Sequence, residues 1–209
     1  MNNDIFNDNS NDNSTNLLPF DGEVYLINGF VQNNRNNDQN NYFEILKNEI
    51  TWEQNHITLY GKTHLVPRLT AWYGTKTYTY SKIVNHPKNW TQSLLILKKL
   101  AEENCSKLGY QVEFNSVLLN YYRDENDSMS YHSDDEKELG LNPIIASISF
   151  GDSRVFTLKH IQTKQTIKIE LEDNSFLLMA EETQTHWQHQ ISKSKNKQGR
   201  INLTFRAVI

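Results

Sequence analysis

Apolar positions follow a helical period in the first half of the chain. The clearest helix is predicted in segment 89–109, where Gly109 supplies a stop and the apolar residues recur every three or four positions: Leu94, Leu97, Leu100, Ala101 and Leu108. A shorter helix is predicted in segment 42–50, where Phe43, Leu46 and Ile50 have the same spacing. We therefore expect helices before the middle of the chain.

The second half of the chain changes to short segments rich in β-branched and aromatic residues. Six of them are EFNSVLLNYY, IIASISF, RVFTLKH, TIKIEL, SFLLMA and RINLTFRAVI. Their length and spacing are typical of a barrel or sandwich of strands. Helices followed by many short strands predict an α+β domain whose functional part is a β-sandwich or jelly roll.

The N-terminus has a different composition from the rest. Its first sixteen residues contain seven Asn and three Asp, so they have little apolar surface to bury. We predict a disordered Asn-rich tail over residues 1–18 and one folded domain over residues 19–209. A second polar tract, residues 32–41, is predicted to be a loop.

The overall composition narrows the class of protein. With 209 residues, of which 37% are hydrophobic, the chain suits a single domain. The single cysteine, Cys105, excludes an intramolecular disulfide and fits a reducing compartment. No secretory signal and no apolar run long enough to span a bilayer is visible. We expect an intracellular monomer without membrane association, cytoplasmic, or nuclear if the cell is eukaryotic. The net charge of −4 argues mildly against a generic nucleic-acid binder.

The segment YHSDDEKEL carries the first candidate chemistry. His132 and Asp134 are two residues apart, so both side chains lie on one side of an extended segment. They offer two of the three ligands of an iron facial triad, although a solvated acidic loop is the simpler interpretation. The third ligand must be a histidine from another strand. The segment THWQHQIS, just before the last strand, favours His189 and leaves His186 as the alternative.

The last strand, RINLTFRAV, alternates strictly between apolar and polar residues. An amphipathic strand with its polar face in water would account for this pattern. However, Arg200 and Arg206 lie about 20 Å apart along such a strand and are suited to the two ends of a dicarboxylate. Asn120 and Tyr122 share one face of the segment LLNYY and offer further hydrogen-bonding groups.

The series NYY, HSDDE, HWQHQ and RINLTFR resembles the AlkB family of Fe(II)- and 2-oxoglutarate-dependent dioxygenases, most nearly its branch that acts on double-stranded DNA. The resemblance covers residues 66–209 and implies a double-stranded β-helix (jelly roll) with N-terminal helices and a nucleotide-recognition lid. It also implies an iron site of His132, Asp134 and His189. The residues expected to hold 2-oxoglutarate are Asn120, Tyr122, Arg200, Asn202, Thr204 and Arg206.

The activity implied is oxidative demethylation of bases such as 1-methyladenine and 3-methylcytosine in DNA, using Fe(II), 2-oxoglutarate and O₂ and releasing formaldehyde and succinate. An RNA demethylase and a non-catalytic jelly-roll binding module remain as alternatives.

An enzyme that acts on a base must hold it outside the stack. The resemblance assigns Tyr80, together with Tyr78, to the lid that stacks on the base, although two core tyrosines would give the same pattern. It assigns Glu136 to the edge of the base. Phosphate contacts are predicted for basic residues near the site: Arg68, Lys193, Lys195 and Lys197.

Overall fold

The computed structural model describes residues 15–31, 40–59, 62–76, 78–80, 83–85, 87–195 and 197–209. Within these ranges the helices are α1 (Tyr42–Glu49), α2 (Gln92–Lys107) and α3 (Thr183–His186). The strands, in chain order, are β1 (Glu23–Asn28), β2 (His56–Leu59), β3 (Lys62–Leu65), β4 (Leu69–Gly74), β5 (Tyr78–Tyr80), β6 (Ile83–Asn85), β7 (Ser116–Tyr122), β8 (Met129–His132), β9 (Ile145–Gly151), β10 (Arg154–His160), β11 (Thr166–Leu171), β12 (Ser175–Ala180), β13 (Trp187–Ile191) and β14 (Arg200–Arg206).

Two antiparallel sheets form the body of the domain. The larger has the order β1-β12-β9-β14-β7-β4, and the smaller has the order β11-β10-β13-β8. The hairpins β2–β3 and β5–β6 form separate two-stranded sheets. The predicted α+β jelly roll is confirmed, and the six predicted strand segments are strands of its two sheets.

Helices α1 and α2 cover the outer face of the larger sheet. In α2, the side chain of Thr91 caps the first turn by accepting a hydrogen bond from the Leu94 amide at 3.3 Å. The predicted apolar face of α2 is buried, and Cys105 is buried with it. Leu108, just after the helix, is only partly buried. These residues share one apolar cluster with Ile201, Leu203 and Phe205 of β14.

A second apolar cluster fills the space between the sheets. Trp72 and Leu118 of the larger sheet join Phe156, Leu158 and Trp187 of the smaller one. The polar face of β14 is turned toward this interior, and all seven residues of the strand are buried. The alternation predicted for β14 is therefore correct, but its polar face is not in water.

The N-terminal segment joins the domain before the predicted boundary at residue 18. The Asn16 side chain accepts hydrogen bonds from the amides of Leu18 and Val24 at 3.0 and 2.9 Å and donates to the Gly22 carbonyl at 3.1 Å. Leu18 is buried. Residues 1–14 of the predicted tail and residues 32–39 of the predicted polar loop lie outside the described ranges.

Replacement of Asn16 with Ala is expected to lower the free energy of unfolding by about 2 kcal/mol, because three partly buried backbone groups lose their partner. Deletion of residues 1–14 is expected to leave it unchanged, because their composition offers little to bury. Urea denaturation compares the two changes. An equal loss of stability in both would contradict this account.

Among the described residues, no helix has the length and apolar character needed to cross a bilayer.

Candidate active site

Pairing of β8 with β13 brings two histidines together. His132 and His189 are direct cross-strand partners, and their ring centroids are 4.2 Å apart. Asp134 follows two residues after the end of β8. One potential ligand atom from each of these three residues lies within 4.8 Å of the other two. The structure therefore assembles the predicted triad with His189, and places the alternative, His186, in another cluster.

The hydrogen bond of His132 fixes which of its two ring nitrogens carries the proton. Nδ1 lies 2.9 Å from the carbonyl oxygen of Ser130, which can only accept. Nδ1 must therefore carry the proton, and in the neutral ring the lone pair is on Nε2. Metal-binding histidines are typically oriented by this kind of hydrogen bond.

The electrostatics of the triad suit a divalent cation. Burial lowers the pKa of His132, and burial together with the nearby His132 lowers the pKa of His189 to about 3. Burial alone would raise the pKa of Asp134, but the charge of Arg206, followed by the neighbouring histidines, holds it at about 2. Two neutral imidazoles and one carboxylate are thus ready to bind a metal at neutral pH.

The metal-free protein is expected to lose stability as the pH falls from 7 to 5. His189 takes up a proton near pH 6.5 when unfolded but only near pH 3 when folded, so acid favours the unfolded chain. Protonation of His189 in the unfolded chain is expected to lower the free energy of unfolding by about 2 kcal/mol between pH 7 and pH 5. Urea denaturation with a chelator present measures it, and His189→Gln is the control that should reduce the pH dependence. The same pH dependence in both proteins would contradict the assignment.

Two arginines of β14 occupy the cavity behind the triad. Arg206 donates from Nη2 to Asp134 Oδ1 at 2.7 Å, and both side chains are buried. Arg200 donates from Nη2 to Ser149 Oγ at 2.8 Å, and its guanidinium lies 5.3 Å from the ring centroid of Tyr122.

Arg200 is a buried cation with unsatisfied hydrogen-bond donors. It is 1% exposed, and its Nε and Nη1 have no hydrogen-bond partner among the described residues. Burial lowers its pKa to about 10, so it remains charged at neutral pH. A buried guanidinium with available donors is suited to a carboxylate, which arginine can bind through two parallel hydrogen bonds.

Amide and hydroxyl groups line the same cavity. Asn202 donates to Ser147 Oγ at 2.7 Å and accepts from Thr204 at 3.1 Å. Asn120 accepts from Arg68 Nε at 2.6 Å. The cavity is lined by all of the predicted iron and 2-oxoglutarate residues: Asn120, Tyr122, His132, Asp134, His189, Arg200, Asn202, Thr204 and Arg206.

Two of the residues predicted to contact phosphates have hydrogen-bond partners within the protein. Arg68 is only 5% exposed and lines the cavity, where it donates to Asn120, and its phosphate contact stays a prediction. Lys197 is half-buried, and its Nζ lies 3.4 Å from an Asp152 carboxylate oxygen and 3.0 Å from Ser153 Oγ. Its phosphate contact also stays a prediction. Lys193 and Lys195 are exposed beside Glu125, and their phosphate contacts stay predictions.

The segments predicted to form the lid contain the antiparallel pair of β5 and β6, in which Tyr78 pairs with Asn85 and Tyr80 with Ile83. The positions of the two tyrosine side chains lie outside the description, so stacking on a base stays a prediction. Glu136 is half-buried directly before a short 3₁₀ helix, Lys137–Leu139, and its contact with a base also stays a prediction.

Several residues of the site were missed by the sequence analysis. Ser147 and Ser149 of β9 bind Asn202 and Arg200 across the sheet. Their alternation with apolar residues in IIASISF was a usable signal. Gln184, whose side chain accepts a hydrogen bond from the Asp134 amide, lies in a four-residue helix with no such signal.

The cluster of Asp21, His160 and His186 also gathers potential metal ligands. However, His160 Nδ1 accepts a hydrogen bond from the Thr163 amide at 3.1 Å, so the proton of the neutral ring is on Nε2. That proton is directed at Asp21 Oδ2, 3.1 Å away. The nitrogen facing the cluster therefore has no lone pair for a metal, and we interpret the group as a hydrogen-bonded contact.

A jelly roll that holds two histidines and a carboxylate together, with buried arginines behind them, has the features of a non-haem iron oxygenase. The family model described as the 2OG-Fe(II) oxygenase superfamily matches residues 23–206, and the chain belongs to that superfamily. The predicted Fe(II), 2-oxoglutarate and O₂ are confirmed as the family's cofactor and co-substrates.

Relatives confirm the predicted resemblance to the AlkB family. The chain is 40% identical over 196 residues to the alpha-ketoglutarate-dependent dioxygenase alkB homolog 3 of Bos taurus, covering 88% of this chain and 66% of the relative. It is 42% identical over 176 residues to the Mus musculus protein of the same name, covering 79% and 60%. Identity to the DNA oxidative demethylase ALKBH2 of Mus musculus is 36% over 164 residues, covering 73% and 66%. The chain thus spans 60–66% of these relatives' lengths.

The solved structure of OsALKBH1 has the same fold. It aligns with a TM-score of 0.64 at 16% identity, covering 88% of this chain and 97% of that one.

Proposed function

We propose that the chain is an oxidative demethylase of N-alkylated bases in DNA, of the 1-methyladenine and 3-methylcytosine type. The reaction consumes 2-oxoglutarate and O₂ and releases succinate, CO₂ and formaldehyde. The observation that carries the proposal is the presence of the His132, Asp134 and His189 triad and the unsatisfied donors of Arg200 in one cavity. The name of the ALKBH2 relatives, DNA oxidative demethylase, supports DNA as the substrate.

His132, Asp134 and His189 would hold Fe(II). The donor set fits, because the two rings are neutral, the carboxylate is ionised, and His132 keeps its Nε2 lone pair. Bound together with 2-oxoglutarate, the iron supplies O₂ activation and the oxidising power to attack an N-methyl group. A hydroxylated N-methyl group then leaves as formaldehyde without a protein acid or base.

The two arginines have different roles in this proposal. Arg200 pairs with the carboxylate of 2-oxoglutarate that lies away from the metal, because its free donors have no other anion among the described residues. Arg206 holds Asp134 ionised and oriented through their 2.7 Å contact, and lies near the carboxylate beside the metal. Hydrogen bonds to the co-substrate come from the polar groups lining the cavity: Asn120, Tyr122, Asn202 and Thr204.

The apolar part of the cavity wall excludes water from the reaction. Leu118, Phe156 and Met179 line the cavity, and each is less than 8% exposed. A low-polarity wall strengthens the charge interactions of the arginines and limits side reactions of the activated oxygen.

The nucleic-acid surface is proposed around the mouth of this cavity. Tyr78 and Tyr80 of the lid hairpin stack on the displaced base, Glu136 reads its edge, and Lys193 and Lys195 contact phosphates. The two lysines are exposed on a loop that is joined to the neighbouring β7–β8 loop by the hydrogen bond from the Ser194 amide to the Glu125 carbonyl, 3.1 Å long.

A substrate panel tests the choice of nucleic acid. Oligonucleotides with one 1-methyladenine, prepared as single- and double-stranded DNA and as RNA of the same sequence, are compared by the rate of demethylation at saturating 2-oxoglutarate. The proposal expects the DNA substrates to be demethylated faster than RNA. Faster demethylation of RNA would favour an RNA demethylase, and the absence of turnover on all substrates would favour a non-catalytic binding module.

A further inference from the structure

Asp134 is the member of the triad that the sheets do not hold. His132 and His189 are fixed by the pairing of β8 with β13, but Asp134 lies beyond the end of β8. Arg206 contacts the carboxylate of Asp134, but this contact does not hold the main chain of Asp134. The backbone amide of Asp134 donates to Gln184 Oε1 at 2.9 Å, in a buried hydrogen bond.

Gln184 is itself firmly supported. It is 2% exposed and belongs to α3, where Thr183 Oγ1 lies 2.5 Å from the Ala180 carbonyl and accepts from the Glu23 amide at 2.9 Å. Gly22 packs so closely on α3 that an added Cβ would lie 2.4 Å from Thr183 Oγ1. The N-terminal segment therefore packs against α3, the helix that carries Gln184, and holds it in place.

The chemistry of glutamine suits this position. Its carbonyl oxygen accepts from the Asp134 amide without bringing a second negative charge next to the carboxylate. Its Nε2 lies 3.5 Å from Met179 Sδ, a weak acceptor on the cavity wall. A second hydrogen bond, from Ser133 Oγ to the Trp187 carbonyl at 3.1 Å, joins the loop that carries Asp134 to the start of β13, directly after α3.

We infer that Gln184 is a positioning residue for the metal site, which sets the orientation of Asp134 through its backbone. The inference rests on the proposed iron site. Groups that orient metal ligands typically change metal affinity by ten- to a hundred-fold when they are removed. Removal of the Gln184 acceptor would leave a buried amide unsatisfied and let the loop that carries Asp134 shift away from the two histidines.

Titration of the metal-free protein with Co(II), in the absence of 2-oxoglutarate, tests this role by calorimetry. Gln184→Met keeps the length of the side chain but removes the acceptor, and is expected to weaken Co(II) binding at least ten-fold. The matched control is Asn104→Leu. Asn104 is also a buried helical amide, 2% exposed and bonded to the Leu100 carbonyl at 2.7 Å, but it lies in α2 on the other side of the larger sheet. The control is expected to lose stability and to bind Co(II) within two-fold of the wild type.

Wild-type affinity in Gln184→Met would overturn the inference, as would an equal loss of affinity in Asn104→Leu, because stability alone would then explain the effect. If Gln184→Met does not fold, Gln184→Asn replaces it; its amide is one methylene too short to reach Asp134, and the same ten-fold loss is expected. Failure of the wild-type protein to bind Co(II) would instead remove the proposed iron site and the inference with it.

Discussion

Replacement of Arg200 with Met is expected to weaken 2-oxoglutarate binding by ten- to a hundred-fold and to leave the free energy of unfolding unchanged or higher. The loss of affinity follows from the charged hydrogen bonds to the co-substrate, about 1.5–3 kcal/mol. The gain in stability follows because Arg200 is buried without an acidic hydrogen-bond partner among the described residues. Burial of such a charge carries a desolvation penalty, which burial of the methionine side chain does not.

Arg154→Met is the matched control for this experiment. Arg154 is also 1% exposed and also lies over the Tyr122 ring, but its guanidinium donates to the carbonyls of Asp124, Asp127 and Ser192. Its replacement leaves three acceptors unsatisfied and is expected to lower stability. Calorimetry with the metal-loaded proteins measures the affinity for 2-oxoglutarate, and urea denaturation without metal measures the free energy of unfolding. A loss of stability in Arg200→Met equal to that in Arg154→Met would contradict a role reserved for an anion.

Loss of either His132 or Asp134 is expected to abolish turnover, but with different effects on the fold. His132→Ala removes a metal ligand from a strand end and should leave the metal-free protein nearly as stable as the wild type. Asp134→Ala leaves Arg206 as a buried charge without its 2.7 Å partner. We expect it to lower the free energy of unfolding by about 3 kcal/mol.

Thermal melting of the metal-free variants, together with a demethylation assay, separates the two effects. Asp134→Asn is a useful third variant, because it keeps an acceptor for Arg206 but lacks the charge. Equal stability of His132→Ala and Asp134→Ala would show that the contact between Arg206 and Asp134 contributes little to the fold.

Much of the fold follows from local sequence patterns. The face of α2 was predictable because its leucines recur at helical spacing, and the strands of the second half because β-branched and aromatic residues fill short segments. The burial of Asn104 and Cys105 in α2 was not predictable, because a polar or small residue on a helix gives no sign of the sheet that will cover it.

The candidate site was predictable where its residues share one element. The alternation of Arg200 to Arg206 puts both arginines on one face of β14, and the two-residue spacing of His132 and Asp134 keeps them close although Asp134 lies beyond the end of β8. The contact of Arg68 with Asn120 was not predictable, because Asn120 lies in β7, 52 residues away. The pairing of Arg206 with Asp134 likewise joins residues 72 positions apart. Such contacts depend on the assembled sheets.

The central claim is tested most directly by the products formed from a DNA oligonucleotide with one 1-methyladenine. The account predicts one succinate and one formaldehyde for each methyl group removed, with turnover requiring both Fe(II) and O₂ and absent in His132→Ala. Removal of the methyl group without succinate, or equal activity in His132→Ala, would contradict it.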